Sequence, residues 1–151
     1  MNNHQLQIAI DQAGTPQARA FLEEIQPLFA RVCDLEREFA GRIKASKAAR
    51  GERPPKLSSA KREEVAGYEK DAEAMAENLN RDLAGLSAES IVWALAAGLE
   101  SDIAFWQSQG LRHTHPAERP IVEEVLQAKT ELHRNLQEFT RRYRPEDSDE
   151  S

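Results

Sequence analysis

The chain has 151 residues, 40% hydrophobic, 30% charged and 6% aromatic, which suits one domain of ordinary size and excludes a second full one. Lys and Arg number 20 against 26 Asp and Glu, a formal net charge of -6, which argues against a general nucleic-acid coat or a polybasic membrane binder. One cysteine, Cys33, permits no internal disulfide, and the longest nearly unbroken apolar run, Ile91 to Leu99, is about half of the roughly 20 residues a bilayer-crossing helix requires, so a cytoplasmic protein is expected.

Period-2 alternation is almost absent, and no tandem repeat or low-complexity tract interrupts the chain, so the expected fold class is all-α. A short first helix is expected from about Asn3 to Ala13, with Leu6, Ile10 and Ala13 on one side and Gly14 ending it. Thr15-Pro16 is a start signal: the hydroxyl accepts from an orphan N–H, and proline at the first position has none to leave unsatisfied. The second helix then runs from Pro16 to about Ala49 on a heptad seam of Phe21, Ile25, Leu28, Val32, Leu35 and Phe39, with Pro27 expected to bend it.

The segment 50–59, with Gly51, Pro54, Pro55 and Ser58-Ser59, is the clearest break. The third helix, about Ala60 to Ala84, repeats the heptad with Val65, Tyr68, Ala72, Met75 and Leu79, then Asp82 at the step before Leu86. Ser87 is suited to cap a fourth helix, Ala88 to Gln109, which is apolar around most of its first three turns. A loop with His113, His115 and Pro116 follows. Pro120 falls in the first turn of a fifth helix reaching Tyr143, whose seam carries Val122, Val125, Leu132, Leu136 and Phe139 with Lys129 at the skipped step. Short connections between long amphipathic helices favour an antiparallel up-down four-helix bundle, one domain over 1–144 with a short helix before it and a disordered acidic tail over 145–151.

Charge is segregated. Residues 42–62 hold Arg42, Lys44, Lys47, Arg50, Arg53, Lys56, Lys61 and Arg62 against Glu52 alone, a local charge of +7. In an up-down bundle Arg112, His113, His115 and Arg119 lie at the same end, together with the amino termini of two helices, giving one electropositive pole on an otherwise acidic rod. A bland reading makes this pole a solubility device. The functional reading is docking of an acidic protein surface or, as the alternative, of a nucleic-acid backbone, although the segment has no aromatic residue to stack on bases.

Candidates for chemistry are few. His113 and His115 are weak metal-ligand candidates, since no Cys lies nearby and no His-Glu-x-x-His is present. Glu69, Glu73 and Glu77 form a stripe beside the apolar seam that reads as a solvated face. Asp82, Asp102 and Lys129 interrupt heptads on three helices; they either form a buried charged layer or, as the simpler reading has it, yield the core to Leu83 and Ile103 one residue on. Trp93 and Phe105 project away from the seam of their helix and would mark a partner surface if exposed. No Gly-rich phosphate loop, nucleophile elbow or Cys-x-x-Cys is present, and no cofactor is expected. The expectation is therefore a non-enzymatic interaction module, an adaptor, regulator or inhibitor, docking through Arg42–Arg62 with Arg112 and Arg119, or through the face around Trp93. A metal-binding bundle enzyme is a more distant alternative, and the seams are compatible with a homodimer.

Overall fold

The computed structural model describes residues 3–53 and 56–144, so the expected acidic tail and the Pro54-Pro55 pair lie outside the described residues. Five α-helices follow one another: α1 Asn3–Asp11, α2 Pro16–Ala49, α3 Ser59–Ala84, α4 Ala88–Phe105 and α5 Arg119–Arg142. Among the described residues there is no strand, and no helix is long and apolar enough to cross a membrane.

The helix starts are set by side-chain caps. Thr15, Ser58 and Ser87 each accept, through their hydroxyls, from the backbone N–H three residues on, at 3.1 to 3.2 Å. Helix α2 runs without a break through Pro27, which sits on its exposed face. The end of α4 departs from expectation. Its α-helical turns stop at Phe105, and Trp106–Gly110 forms one π-helical turn closed by Leu111 N–H donating to the Trp106 carbonyl at 3.1 Å.

Four helices line the core. Leu6, Ala9 and Ile10 of α1, Leu22, Ile25, Phe29, Val32 and Leu35 of α2, Ile91, Val92, Ala96 and Leu99 of α4, and Val125, Leu132, Leu136 and Phe139 of α5 are buried together. One end is closed by aromatic contacts, with Phe139 between Phe21 (5.7 Å between centroids) and Tyr143 (4.8 Å). Helix α5 packs along both α2 and α4, and α1 packs against α2 and α4.

Helix α3 was expected to be the fourth wall of the bundle, and it does not line the core. Leu83 near its carboxyl end is its one buried residue, and its main packing contact is with α1. Val65, Tyr68, Met75 and Leu79 remain exposed, as do all described residues from Lys56 to Met75. The short α1 takes the place beside α2 and α4 with Leu6, Ala9 and Ile10. Burial favours this arrangement because those three side chains are almost wholly removed from water, whereas the α3 seam is diluted by Ala72 and broken by Asp82.

Candidate interaction surfaces

Three features stand outside the apolar core: the basic end, a charged layer beneath a groove, and the free face of α3. At the basic end, the carboxyl end of α2 does meet the α4–α5 connection. Lys47 and Arg50 share a cavity of about 370 Å³ with Phe39, Ile43, His113, His115 and Glu118. Not all the cations there are available to a partner. Arg42 pairs with Glu124 of α5 at 2.7 Å, and Arg50 binds both Glu52 at 2.8 Å and the buried Glu118. The Arg50 hydrogen bond holds the Glu118 carboxyl below the usual glutamate range, against the opposing effect of burial, and the Arg50 guanidinium is raised in turn. Lys44, Lys47, Arg53, Lys56, Lys61, Arg62, Arg112 and Arg119 stay exposed.

Glu118 also touches His115, whose Nδ1 lies 3.4 Å from Oε2, but that nitrogen already accepts from the Ala117 N–H at 3.0 Å. Glu118 Oε2 and Arg50 Nε are buried without a hydrogen-bond partner. His113 and His115 are exposed, and among the described residues no three His, Cys, Asp or Glu side chains converge to hold a metal ion.

The simpler reading of the heptad interruptions holds at α3, where Asp82 is exposed and Leu83 is buried, and is corrected at Lys129 and Asp102. Lys129 is 1% exposed, binds Glu36 of α2 at 2.5 Å and Asp102 of α4, and lies 4.8 Å over the Trp106 ring. Two of the three interrupting residues therefore do meet, with Lys129 buried and Asp102 at the partly exposed edge of the layer. Asp82 stays outside the layer, and its third member is Glu36 of α2. Sequence reasoning missed Glu36, although its position four after Val32 and three before Phe39 puts it at the edge of the α2 seam. The π turn contributes by seating Trp106 between Lys129 and Phe39, whose ring meets it edge-on at 4.8 Å. Above this layer runs a groove of about 470 Å³ lined by Gln5, Leu79, Ala94, Leu95 and Gly98.

The third feature is α3 itself. Tyr68 is 65% and Met75 72% exposed, values that place large apolar groups in water along a helix of 26 residues, about 39 Å. Glu69, Glu73 and Glu77 are exposed beside them. Trp93 is 59% exposed above a shallow cavity of about 610 Å³ whose other walls are Arg134, Gln137, Glu138, Thr140, Arg141 and Arg144. Phe105 is exposed as well, farther along α4. The surroundings of Trp93 are thus polar, in contrast to the apolar seam from Val65 to Leu79 on α3. No family model, curated protein or solved structure matches the chain.

Proposed function

We propose that this chain is a non-enzymatic protein-interaction module, an adaptor, regulator or inhibitor, whose docking element is α3 together with the basic segment that leads into it. The observation that carries the reading is the exposed seam Val65, Tyr68, Met75 and Leu79, an amphipathic face that the chain's own core leaves uncovered. Arg53, Lys56, Lys61 and Arg62 precede or open the same helix, all exposed. Such a layout suits electrostatic steering by the cations followed by burial of the apolar seam. Arg42 and Arg50 have little part in docking on this reading, because their charges are taken by Glu124 and Glu118. The half-buried Cys33 fits a reducing compartment such as the cytoplasm.

The test is capture from native lysate by three baits, each with and without nuclease: wild type, Tyr68→Asp with Met75→Asp, and a charge reversal at Arg53, Lys56 and Arg62. A protein held by wild type after nuclease, and lost from both variants, supports the module. Capture that nuclease abolishes transfers the function to nucleic-acid backbone binding through the same cations. Identical capture by wild type and both variants removes α3 and its basic approach from the function.

A further inference from the structure

Resting on the reading of α3 as a docking helix, we propose that its partner is α3 of a second copy, the two helices packed antiparallel as a short two-stranded coiled coil about a two-fold axis between Ala72 and Met75. In heptad terms Val65, Ala72 and Leu79 occupy one core position, and Tyr68, Met75 and Asp82 the other. An antiparallel pair sets one kind against the other. The register that buries the seam places Tyr68 against Leu79 of the partner subunit and Ala72 against Met75 of the partner subunit, each contact made twice by symmetry. Large faces small at the centre, so the helices can approach closely.

The charges choose both the partner and the direction. In this register Glu69 stands opposite Ala76 of the partner subunit and Asp71 opposite Asn78 of the partner subunit, while Glu73 and Glu77 fall on outward positions. No acid meets an acid. A parallel pair would instead set Glu64 against Glu69 of the partner subunit on both sides, a like-charge contact that disfavours it. The basic approach to α3 and the carboxyl end of the helix carry opposite charge. From Arg53 to Arg62 the chain carries cations without an acid; Glu63 and Glu64 follow at once, with Glu64 paired to Lys61 at 3.4 Å, and the carboxyl-terminal half, 72–84, holds Glu73, Glu77 and Asp82 against Arg81. Antiparallel pairing brings these ends together, with Arg62 one turn from the point where Asp82 of the partner subunit meets Val65. The exposed Asp82, which ends the seam and serves no core contact, acquires a partner. One helix per subunit is a small interface, so the dimer is expected to dissociate on dilution.

The test uses the full chain carrying Cys33→Ser. Light scattering or sedimentation across a concentration series should show a reversible dimer, and Tyr68→Asp with Met75→Asp should weaken it by at least about tenfold without lowering the thermal midpoint of the dissociated chain. Oxidising a mixture of a Tyr68→Cys chain with a Leu79→Cys chain should give the mixed disulfide in preference to either homotypic one, and Val65→Cys alone should stay uncrosslinked. Efficient crosslinking of Val65→Cys alone, or a dimer indifferent to the seam variants, overturns the antiparallel pair. A chain that stays monomeric at every attainable concentration overturns self-pairing altogether. If the seam variants then still lose a lysate partner, the docking-helix reading stands and only the identity of the partner is wrong.

Discussion

Lys129 of α5 pairs with Asp102 of α4 while lying over the ring of Trp106, so the residue that interrupts the α5 seam becomes a junction between α2, α4 and α5. Removing one member of such a pair leaves the others desolvated and unpaired, at a cost of about 3–5 kcal/mol when burial is complete. Glu36 and Asp102 keep part of their solvent contact, so Lys129→Ala is expected to cost less, roughly 2–3 kcal/mol. Combining Lys129→Met with Glu36→Gln and Asp102→Asn should recover most of the loss, because no unpaired charge remains. Urea unfolding of wild type, Lys129→Ala and the combined variant measures both effects. A Lys129→Ala chain as stable as wild type would mean that the layer adds nothing to the fold.

The helices were legible in the sequence because their starts are written in local chemistry: Thr15-Pro16, Ser58 and Ser87 act on N–H groups three residues away. What covers each helix was not. The heptad of α3 states that Val65, Tyr68, Met75 and Leu79 share a face, and a pattern of that kind is silent on whether the chain's own α1 or another molecule meets it. The meeting of Lys129 with Glu36 was hidden for a similar reason, since it depends on the relative rotation of α2 and α5. The π turn at Trp106 was missed because a 3.6-residue pattern carries no sign of one extra residue in a turn. At the basic end, the charge run was plain, but its partial neutralisation required knowing that Glu118 is buried beside Arg50.

Glu118 should make stability depend on pH in a definite direction. Its carboxyl is lowered in the folded chain, chiefly by the Arg50 hydrogen bond, so the pairing stabilises the fold above the unfolded value of about 4.3 and is lost as pH falls through the lower, folded value. The stability gap between wild type and Glu118→Gln should therefore be constant from neutrality to about pH 5 and shrink in more acid solution. Chemical denaturation at a series of pH values reads it directly. A gap that widens toward acid would contradict the assignment.

Cys33 is half-buried, and burial raises its thiol above the ordinary value, with Glu36 and Asp34 adding in the same direction. Less thiolate is present at a given pH, and access is restricted. Its reaction with a disulfide reagent near pH 8 should be slower in the folded chain than in urea. Equal rates would mean that the α2 face carrying Cys33 is open to solvent.

The placement of α3 outside the core can be read from stability alone. Met75→Ala and Tyr68→Ala, made in dilute protein, are expected to change unfolding free energy by no more than about 0.5 kcal/mol, the usual range for surface positions. Phe29→Ala and Leu132→Ala remove wholly buried side chains from α2 and α5 and should cost about 2–5 kcal/mol each. Leu83→Ala belongs with the second group, since it is the one α3 residue seated among the core side chains. These two groups separate the two arrangements of the same helices. In a bundle walled by α2, α3, α4 and α5, Met75 would sit in the interior and its truncation would cost as much as that of Leu132, whereas with α1 as the fourth wall the two substitutions differ by several-fold.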